Sequence, residues 1–265
     1  MKTSKSVLLT SACLCAALSA SATTWTYTPG TDDNNVVGTI TDGQWTLKVT
    51  EFDKENHVLS FAMSESWGHP VVKAYEPSSD PTKKGVLDLS SPLVIVEGED
   101  TAQTSTTIDK VKIGTRSFGC EDTDAVATNM VEFYCNVIDK ISGEFNFASD
   151  PNLKKVEIGG TAESIGHLVF ANDPALKTVK MDFPDMRSVG ASWCLFGANG
   201  EGTTLDSLDV MAVLNPLVTN ICNNALARSF IVGDLVLSNA MNIGEQAFNQ
   251  ASLSSVFLRG GGYLN

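Results

Sequence analysis

A twelve-residue phrase occurs twice in this chain at a short interval. FASDPNLKKVEI begins at Phe147 and returns 23 residues later as FANDPALKTVKM, which begins at Phe170, with seven of the twelve positions identical. Self-similarity at periods of about 20–50 residues is typical of architectures in which one structural unit stacks on its copies. The repeat therefore constrains the fold more than any other feature of the sequence.

The end of each phrase follows the pattern L-x-x-V-x-I, and four further segments carry an apolar version of it. The six copies begin at Met130, Leu153, Leu176, Leu205, Val232 and Leu253, at spacings of 23, 23, 29, 27 and 21 residues. The alternating apolar positions predict a short strand with one buried face. Such a strand cannot bury that face alone, but parallel stacking on its copies produces a continuous core.

A second motif, I-G-x-x-x-F, recurs between the strands. It is complete at Ile113–Phe118, Ile165–Phe170 and Ile243–Phe248, while Val189-Gly190 and Ile221 mark the same place in weaker copies, with Cys194 and Leu226 at the aromatic position. We expect Phe147, Phe170 and Phe248 to be buried at equivalent places, and the Gly to permit a tight backbone. Asp-Pro at 150–151 and 173–174 predicts turns that end the return segment.

The segment IGEQAFNQASLSSVFL, residues 243–258, resembles a repeat of the BspA-like leucine-rich repeat proteins, whose unit reads approximately I-G-x-x-A-F-x-x-C-x-x-L-x-x-V-x-I. The resemblance covers residues 113–258 and is strong in the copies that end at Ile158, Met181 and Leu258. GANGEGTT (197–204) and SFIVG (229–233) depart from the unit in the fourth and fifth copies. The resemblance implies a bacterial surface protein associated with adhesion or with binding of host and matrix components, and it brings no catalytic residues.

The outward positions of the predicted strands form two rows if the strands stack in register, with neighbours about 4.8 Å apart. One row is Glu132, Lys155, Thr178, Ser207, Asp234 and Ser255, and the other is Tyr134, Glu157, Lys180, Asp209, Val236 and Phe257. Glu132 then faces Lys155, and Lys180 faces both Glu157 and Asp209, so adjacent charges are opposite and help to set the register. The candidate binding face is Glu132, Tyr134, Lys155, Glu157, Lys180, Asp209 and Phe257.

Residues 23–110 contain no copy of the unit and are predicted to form a β-rich N-terminal cap or a small β domain. GTITDGQWTLKV (38–49) predicts a hairpin that turns at Asp42-Gly43. A cap is favoured because stacked repeats need their ends covered. Trp25, Tyr27, Trp45 and Trp67 are interpreted as core residues in preference to a sugar-stacking platform. The predicted fold class is a mainly β or α+β solenoid, a leucine-rich repeat stack of about six repeats over residues 111–265 behind that region.

The first 22 residues have the pattern of a signal peptide. Lys2 and Lys5 precede a largely apolar run that is too short to span a bilayer, and Ala20-Ser21-Ala22 supplies small residues for cleavage after Ala22. We therefore expect a secreted or cell-surface protein with no membrane insertion. The chain has 31 acidic residues against 18 basic ones, a net charge of −13, which argues against nucleic acid or an anionic membrane as partner.

No motif in the sequence predicts catalysis, a metal site or a cofactor. The histidines His57, His69 and His167 lie in separate segments, and no G-x-S-x-G, C-x-x-C, H-E-x-x-H or P-loop occurs. Residues 32–35, DDNN, resemble the start of a calcium loop but lack its spaced Gly and terminal Glu. Cys120, Cys135, Cys194 and Cys222 permit two disulfides, yet we favour free thiols that fill the core, above all at the inward-facing Cys135.

The sequence favours an exported, non-enzymatic protein that binds or adheres to an extracellular protein or glycan. One alternative is a parallel β-helix polysaccharide-active enzyme, which would need Asp clustered with Lys or Arg on one face. Another is a carbohydrate-binding module at the N-terminus. Only seven residues follow Leu258, so we expect the last repeat to be poorly protected. Either the chain is shorter than its functional relatives, or a partner or self-association covers this uncapped C-terminal repeat.

Overall fold

A computed structural model describes residues 23–30, 36–61, 71–73, 85–90, 92–98, 102–115, 117–118, 130–144, 146–166, 168–171, 173–190, 208–227, 231–240, 242–259 and 263–264. Several sequence predictions lie outside these residues. They are the signal peptide (1–22), the calcium-like residues 32–35, Trp67, His69, Cys120, His167, Cys194 and the 197–204 segment.

The described residues are mainly β, as predicted, and form several sheets, none of them closed. In chain order the strands are β1 (Thr23–Pro29), β2 (Gly38–Thr41), β3 (Thr46–Val49), β4 (Glu51–Asp53), β5 (Val58–Phe61), β6 (Val71–Lys73), β7 (Val86–Asp88), β8 (Leu93–Glu97), β9 (Thr104–Ile108), β10 (Lys110–Ile113), β11 (Glu132–Ile141), β12 (Lys155–Gly160), β13 (Ser164–Ile165), β14 (Thr178–Asp182), β15 (Ser188–Val189), β16 (Leu208–Asp209), β17 (Asn220–Ile221), β18 (Ile231–Leu237), β19 (Asn242–Ile243), β20 (Ser252–Leu258) and β21 (Tyr263–Leu264). A short 3-10 turn covers Val210–Ala212.

The N-terminal sheet has the strand order β6-β3-β2-β1-β8-β9 and contains the predicted hairpin. β2 and β3 pair antiparallel around Asp42-Gly43. The Asp42 carboxylate accepts the backbone N–H groups of Gln44 and Trp45 at 2.8 and 2.7 Å, and Gly43 has a φ of 89°, which L-residues rarely adopt. The side chains that alternate inward, Trp45, Leu47 and Val49, are buried as expected.

A seven-stranded sheet follows the order β14-β12-β11-β10-β5-β4, and β7 also lies beside β11. The first three copies of L-x-x-V-x-I are β11, β12 and β14 with the residues just before them, and these strands pair parallel in the predicted register. Glu132 is opposite Lys155, and Glu157 is opposite Lys180. The inward positions are buried in all three copies: Met130, Phe133, Cys135, Leu153, Val156, Ile158, Leu176, Val179 and Met181.

The I-G motifs align in a five-stranded parallel sheet of order β13-β15-β17-β19-β21. The aligned positions are Ile165, Val189, Ile221, Ile243 and Leu264. A Cβ on Gly166 would lie 2.0 Å from the carbonyl oxygen of Gly143, and a Cβ on Gly244 would lie 2.3 Å from Oδ1 of Asn223. The motif therefore requires glycine because the preceding copy approaches its backbone too closely for any side chain.

The aromatic positions of the motif form a column inside the core. Phe147 stacks on Phe118 with centroids 5.7 Å apart and on Phe170 with centroids 5.5 Å apart. Phe147 and Phe170 are fully buried, as predicted, and so is Leu226 at the same position of a weaker copy. The prediction is wrong for Phe248, which is only partly buried and packs against the edge of the core cluster.

The predicted register fails at the fourth copy. Among the described strands, β14 pairs only with β12, while β16 pairs with β18 and places Leu208 opposite Ile231, four residues before the predicted partner Leu235. Asp209 therefore does not lie beside Lys180 in a shared sheet. Its carboxylate instead accepts the backbone N–H of Met211 at 2.8 Å and caps the 3-10 turn, which ends β16 after two residues.

The last copy, β20, pairs with β18 in the predicted register but does not bury its inward face. Val256 lies opposite Leu235, yet its side chain is 56% exposed, and the neighbouring Phe257 is 55% exposed. Val256 therefore points to the same face as the buried Leu235, but β20 is the edge of its sheet among the described strands and leaves that face uncovered. This agrees with the expectation of a poorly covered last repeat. Self-association through this edge stays a prediction.

One hydrophobic cluster extends from Trp25 to Ala247 and joins the N-terminal strands to the repeated segment. Trp25 and Trp45 are buried, as the core interpretation predicts, and the Trp45 indole donates a 2.7 Å hydrogen bond to the carbonyl of Val86. Cys135 is a buried free thiol, as expected, and Cys222 is a half-buried free thiol. Across the described ranges, no helix has the length and apolar character needed to cross a bilayer.

Candidate functional site

Five of the seven residues predicted as a binding face lie together. Glu132, Tyr134, Lys155, Glu157 and Lys180 project outward from the adjacent parallel strands β11, β12 and β14, and we call this surface the outer face. The other two predicted residues, Asp209 and Phe257, belong to the separate three-stranded sheet β16-β18-β20. The prediction of one continuous seven-residue face is therefore wrong, because β14 pairs with none of the described strands except β12.

Tyr134 is held in place from two sides. Its hydroxyl donates a hydrogen bond to Oε2 of Glu132, and the ammonium of Lys155 lies 5.0 Å from the centroid of its ring. Nζ of Lys155 also lies 2.8 Å from Oε1 of Glu157, two residues along the same strand. The aromatic ring is thus ordered in advance of any ligand by a hydrogen bond and a cation–π contact.

The two titratable side chains at the centre of the outer face keep their ordinary protonation at neutral pH. The hydrogen bond to Glu157 raises the pKa of Lys155, so the lysine stays charged. Partial burial, with the carboxylate of Glu132 as a second cause, raises the pKa of Tyr134, so the phenol stays neutral. The outer face consequently presents a fixed cation, carboxylates and a neutral phenol ring.

A β-bulge in β11 opens a cleft beside Tyr134. The pairing of β11 with β12 shifts between Cys135 and Ile138, and Ile138 then lies opposite Gly160. A Cβ on Gly160 would lie 2.3 Å from the carbonyl oxygen of Ile138, and a Cβ on Gly159 would lie 2.7 Å from that of Asp182. Gly160 also has a φ of 139°. The two glycines therefore leave bare backbone as the floor of the cleft.

The cleft has a volume of about 560 Å³, and we call it the bulge cleft. Its polar and aromatic lining includes Tyr134, Asn136, Glu157, Thr161, Lys180 and Asp182. The alternation of the repeat predicted three of these residues, Tyr134, Glu157 and Lys180. Asn136 lies within the bulge of β11, and Thr161 and Asp182 lie just past the end of the six-residue repeat pattern, so the pattern did not identify them. The consecutive Gly159-Gly160 after a predicted strand was the available signal.

A second cleft of about 400 Å³ adjoins the first and provides a natural comparison. Its lining is Asp139, Lys140, Thr161, Glu163, Ser164 and Asp185. It shares Thr161 with the bulge cleft but has no aromatic side chain. The two clefts thus differ chiefly in whether an apolar ring faces the polar groups.

Two buried carboxyl groups lie away from both clefts. Oδ1 of Asp173 accepts the backbone N–H of Asp150 at 2.8 Å, and Oδ1 of Asp150 accepts the N–H groups of Asn152 and Leu153 at 2.9 and 3.1 Å. Burial raises the pKa of Asp150 to about 7 and that of Asp173 well above its ordinary value. The predicted Asp-Pro turns are present, and their aspartates brace consecutive copies from inside the core.

A metal centre is not formed by the described residues, among which no group of three or more His, Cys, Asp or Glu side chains could hold an ion. His57 is exposed, and its Nδ1 lies 2.7 Å from the carbonyl oxygen of Thr107. This contact gives His57 a structural role at the start of β5.

Comparisons with protein-family models, curated proteins and solved structures found no match. Function is therefore inferred from the residues and geometry of this chain.

Proposed function

We propose that this chain is an exported, non-enzymatic leucine-rich repeat protein that binds an extracellular macromolecule, a protein or a glycan, through its outer face. One observation carries the proposal: five outward residues predicted from the repeat converge on adjacent parallel strands beside a cleft of about 560 Å³. Concave sites of about 300–1,000 Å³ with a few convergent polar groups are the usual places for ligand binding.

The proposed architecture is a stack of about six repeats over residues 111–265 behind an N-terminal cap over residues 23–110. Parallel pairing of β11, β12 and β14 supports it, as do the aligned I-G positions and the stacked rings of Phe118, Phe147 and Phe170. β5 and β7 pair with β10 and β11, which is what a cap that continues into the repeats would do. Export is supported by the signal-peptide pattern of residues 1–22.

The outer face is suited to ligand binding more than to a purely structural role, because its side chains are already held in place. The contacts of Lys155 with Glu157 and with the Tyr134 ring restrict three side chains before a ligand arrives. Restricting a rotamer-rich side chain in advance removes about 0.5–1.5 kcal/mol of ordering cost from association. A face ordered in this way favours specific binding over a merely solvated surface.

The test is capture of ligands by the mature chain, residues 23–265, from panels of extracellular matrix proteins and glycans. A double variant, Glu157→Gln with Lys180→Gln, removes two charges from the outer face. Its matched control, Glu245→Gln with Arg259→Gln, removes the same two charges from exposed positions in the C-terminal part of the chain. We expect the first variant to lose capture and the second to retain it. Equal capture by both variants would contradict the use of the outer face.

A polysaccharide-active enzyme is the second candidate, and one observation favours it. Glu157, Lys180 and Asp182 line the same cleft, which is the grouping of carboxylates with a lysine that such an enzyme needs. Incubation of the mature chain with polysaccharides, followed by assay for new reducing ends, separates the two functions. Products that disappear in Asp182→Asn would establish the enzyme, whereas binding without products supports the proposal.

A further inference from the structure

We infer that the bulge cleft binds a short stretch of a neutral, hydroxyl-rich glycan. A sugar ring packs on Tyr134, and its hydroxyl groups form hydrogen bonds with Glu157, Lys180 and Asp182. This inference rests on the proposed function and names the class of ligand for the outer face. Four features of the cleft carry it: the aromatic wall, the mixture of donors and acceptors, the charge balance and the bare glycine floor.

The aromatic wall comes first. Tyr134 lines the cleft with its hydroxyl engaged by Glu132 and its ring ordered by Lys155. Because the hydroxyl already has a partner, the ring offers chiefly its apolar surface to a ligand. A pyranose has an apolar side made of C–H groups, which packs on such a ring as other apolar groups do.

The polar groups around the ring suit hydroxyl groups. Glu157 and Asp182 only accept hydrogen bonds, whereas the Lys180 ammonium only donates them. A sugar hydroxyl both donates and accepts, so neighbouring hydroxyls can engage a carboxylate and the ammonium together. Cys135, Ile158 and Pro184 add apolar lining beside these polar groups, which suits a ligand such as a pyranose that carries C–H groups and hydroxyl groups together.

The charge balance selects a neutral glycan over an anionic one. Two carboxylates and one ammonium line the cleft, and the whole chain carries 31 acidic residues against 18 basic ones. Sulfated or uronate-rich chains would be repelled at long range by this net negative charge. A neutral chain carries no such penalty.

The dimensions favour a chain of sugars over a single sugar. The row Asp88, Tyr134, Glu157 and Lys180 crosses four adjacent strands, which at about 4.8 Å per strand spans about 14 Å. The cleft lies alongside this row, and its floor cannot be filled by side chains because Gly159 and Gly160 have no room for a Cβ. An extended ligand can therefore lie across the strands on rigid backbone.

The test is isothermal titration of the mature chain with neutral hexasaccharides of glucose, mannose, galactose and N-acetylglucosamine, with a heparin hexasaccharide as the anionic comparison. We expect at least one neutral hexasaccharide to bind with a Kd tighter than about 1 mM. Tyr134→Ala and Asp182→Asn should each weaken binding at least about fivefold, and Tyr134→Phe, which keeps the ring, should weaken it less. The control is Glu163→Gln in the adjoining cleft, which should bind like the unaltered chain.

Each variant is first checked by thermal unfolding. Lys180→Gln, at an exposed side chain, replaces Tyr134→Ala if that variant does not fold. Absence of binding to every neutral hexasaccharide, preference for heparin, or equal losses in Asp182→Asn and Glu163→Gln would each overturn the inference. Capture of matrix proteins that depends on Glu157 and Lys180, without any hexasaccharide binding, would overturn the inference but leave the proposed function standing. Absence of both hexasaccharide binding and matrix-protein capture would overturn the inference and the proposed function together.

Discussion

Replacing Asp150 with asparagine should flatten the dependence of this protein's stability on pH. Asp150 is fully buried, one of its carboxyl oxygens has no hydrogen-bond partner among the described residues, and burial raises its pKa to about 7. An asparagine side chain at this position would be neutral at every pH. Its oxygen could still accept the backbone N–H groups of Asn152 and Leu153, which Oδ1 of Asp150 accepts now.

The direction of this pH dependence follows from which state of the chain, folded or unfolded, holds the Asp150 proton more tightly. The folded chain binds the Asp150 proton up to about pH 7, whereas the unfolded chain releases it near 3.8. The stability associated with the neutral carboxyl is therefore fully present below about pH 4, declines between about pH 4 and 7, and stays lost at higher pH. Because a tenfold change in proton affinity corresponds to about 1.4 kcal/mol, the full loss is on the order of 4 kcal/mol.

The assay is urea unfolding of the unaltered chain and of Asp150→Asn at pH 4, 5.5, 7 and 8. We expect similar free energies of unfolding at pH 4 and a growing advantage for Asp150→Asn toward pH 8. Asp182→Asn, at an exposed carboxylate, is the control and should show no such growth. Taking the difference between chains at each pH removes the contribution of the remaining acidic residues.

A difference between Asp150→Asn and the unaltered chain that stays constant from pH 4 to pH 8 would refute the reasoning. It would mean that Asp150 is ionised in the folded state and reaches water or a cation. Asp173→Asn should change the pH dependence in the same direction, because burial also raises the pKa of Asp173.

Three further predictions follow from the core. Phe170→Ala should lower the free energy of unfolding by about 3–5 kcal/mol and the partly buried Phe248→Ala by less; equal losses in urea unfolding would show that the two positions are equivalent. Gly166→Ala should cost about 1–3 kcal/mol through overpacking against the preceding backbone, and an unchanged melting temperature would contradict the close approach. Iodoacetamide should label the half-buried Cys222 before Cys135, because burial raises the pKa of Cys135 to about 12. Equal labelling rates by mass spectrometry would place Cys135 at the surface.

Short-range patterns in the sequence predicted the parts of the fold that repeat. The L-x-x-V-x-I copies at β11, β12 and β14 lie in the predicted register, in which a slip of one residue would turn every inward side chain outward. Asp42-Gly43 predicted its hairpin because the turn depends on those two residues alone. The I-G motif likewise predicted a tight backbone at its glycine, and Gly166 indeed has no room for a side chain.

The departures depend on contacts that no local pattern encodes. Asp209 fits the outward row by its spacing, but its carboxylate caps a 3-10 turn and ends the strand. The bulge in β11 depends on how β11 meets Gly160 of the next copy, so Asn136 was not recognised as a neighbour of Tyr134. Asp182 lies one step beyond the repeat pattern on β14, so the pattern did not place it in the cleft. Asp150 and Asp173 read as turn residues, and only their stacking shows that both carboxyls are buried.

The location of the ligand on the molecule tests the central claim most directly. Hydrogen exchange of residues 23–265, measured by mass spectrometry with and without the tightest-binding hexasaccharide, reports that location without any substitution. Binding at the bulge cleft predicts slowed exchange in segments 134–136, 157–161 and 180–182, with no change in β2, β3 or β20. Slowed exchange confined to the N-terminal sheet or to β20 would contradict the account, because the ligand would then lie away from the outer face.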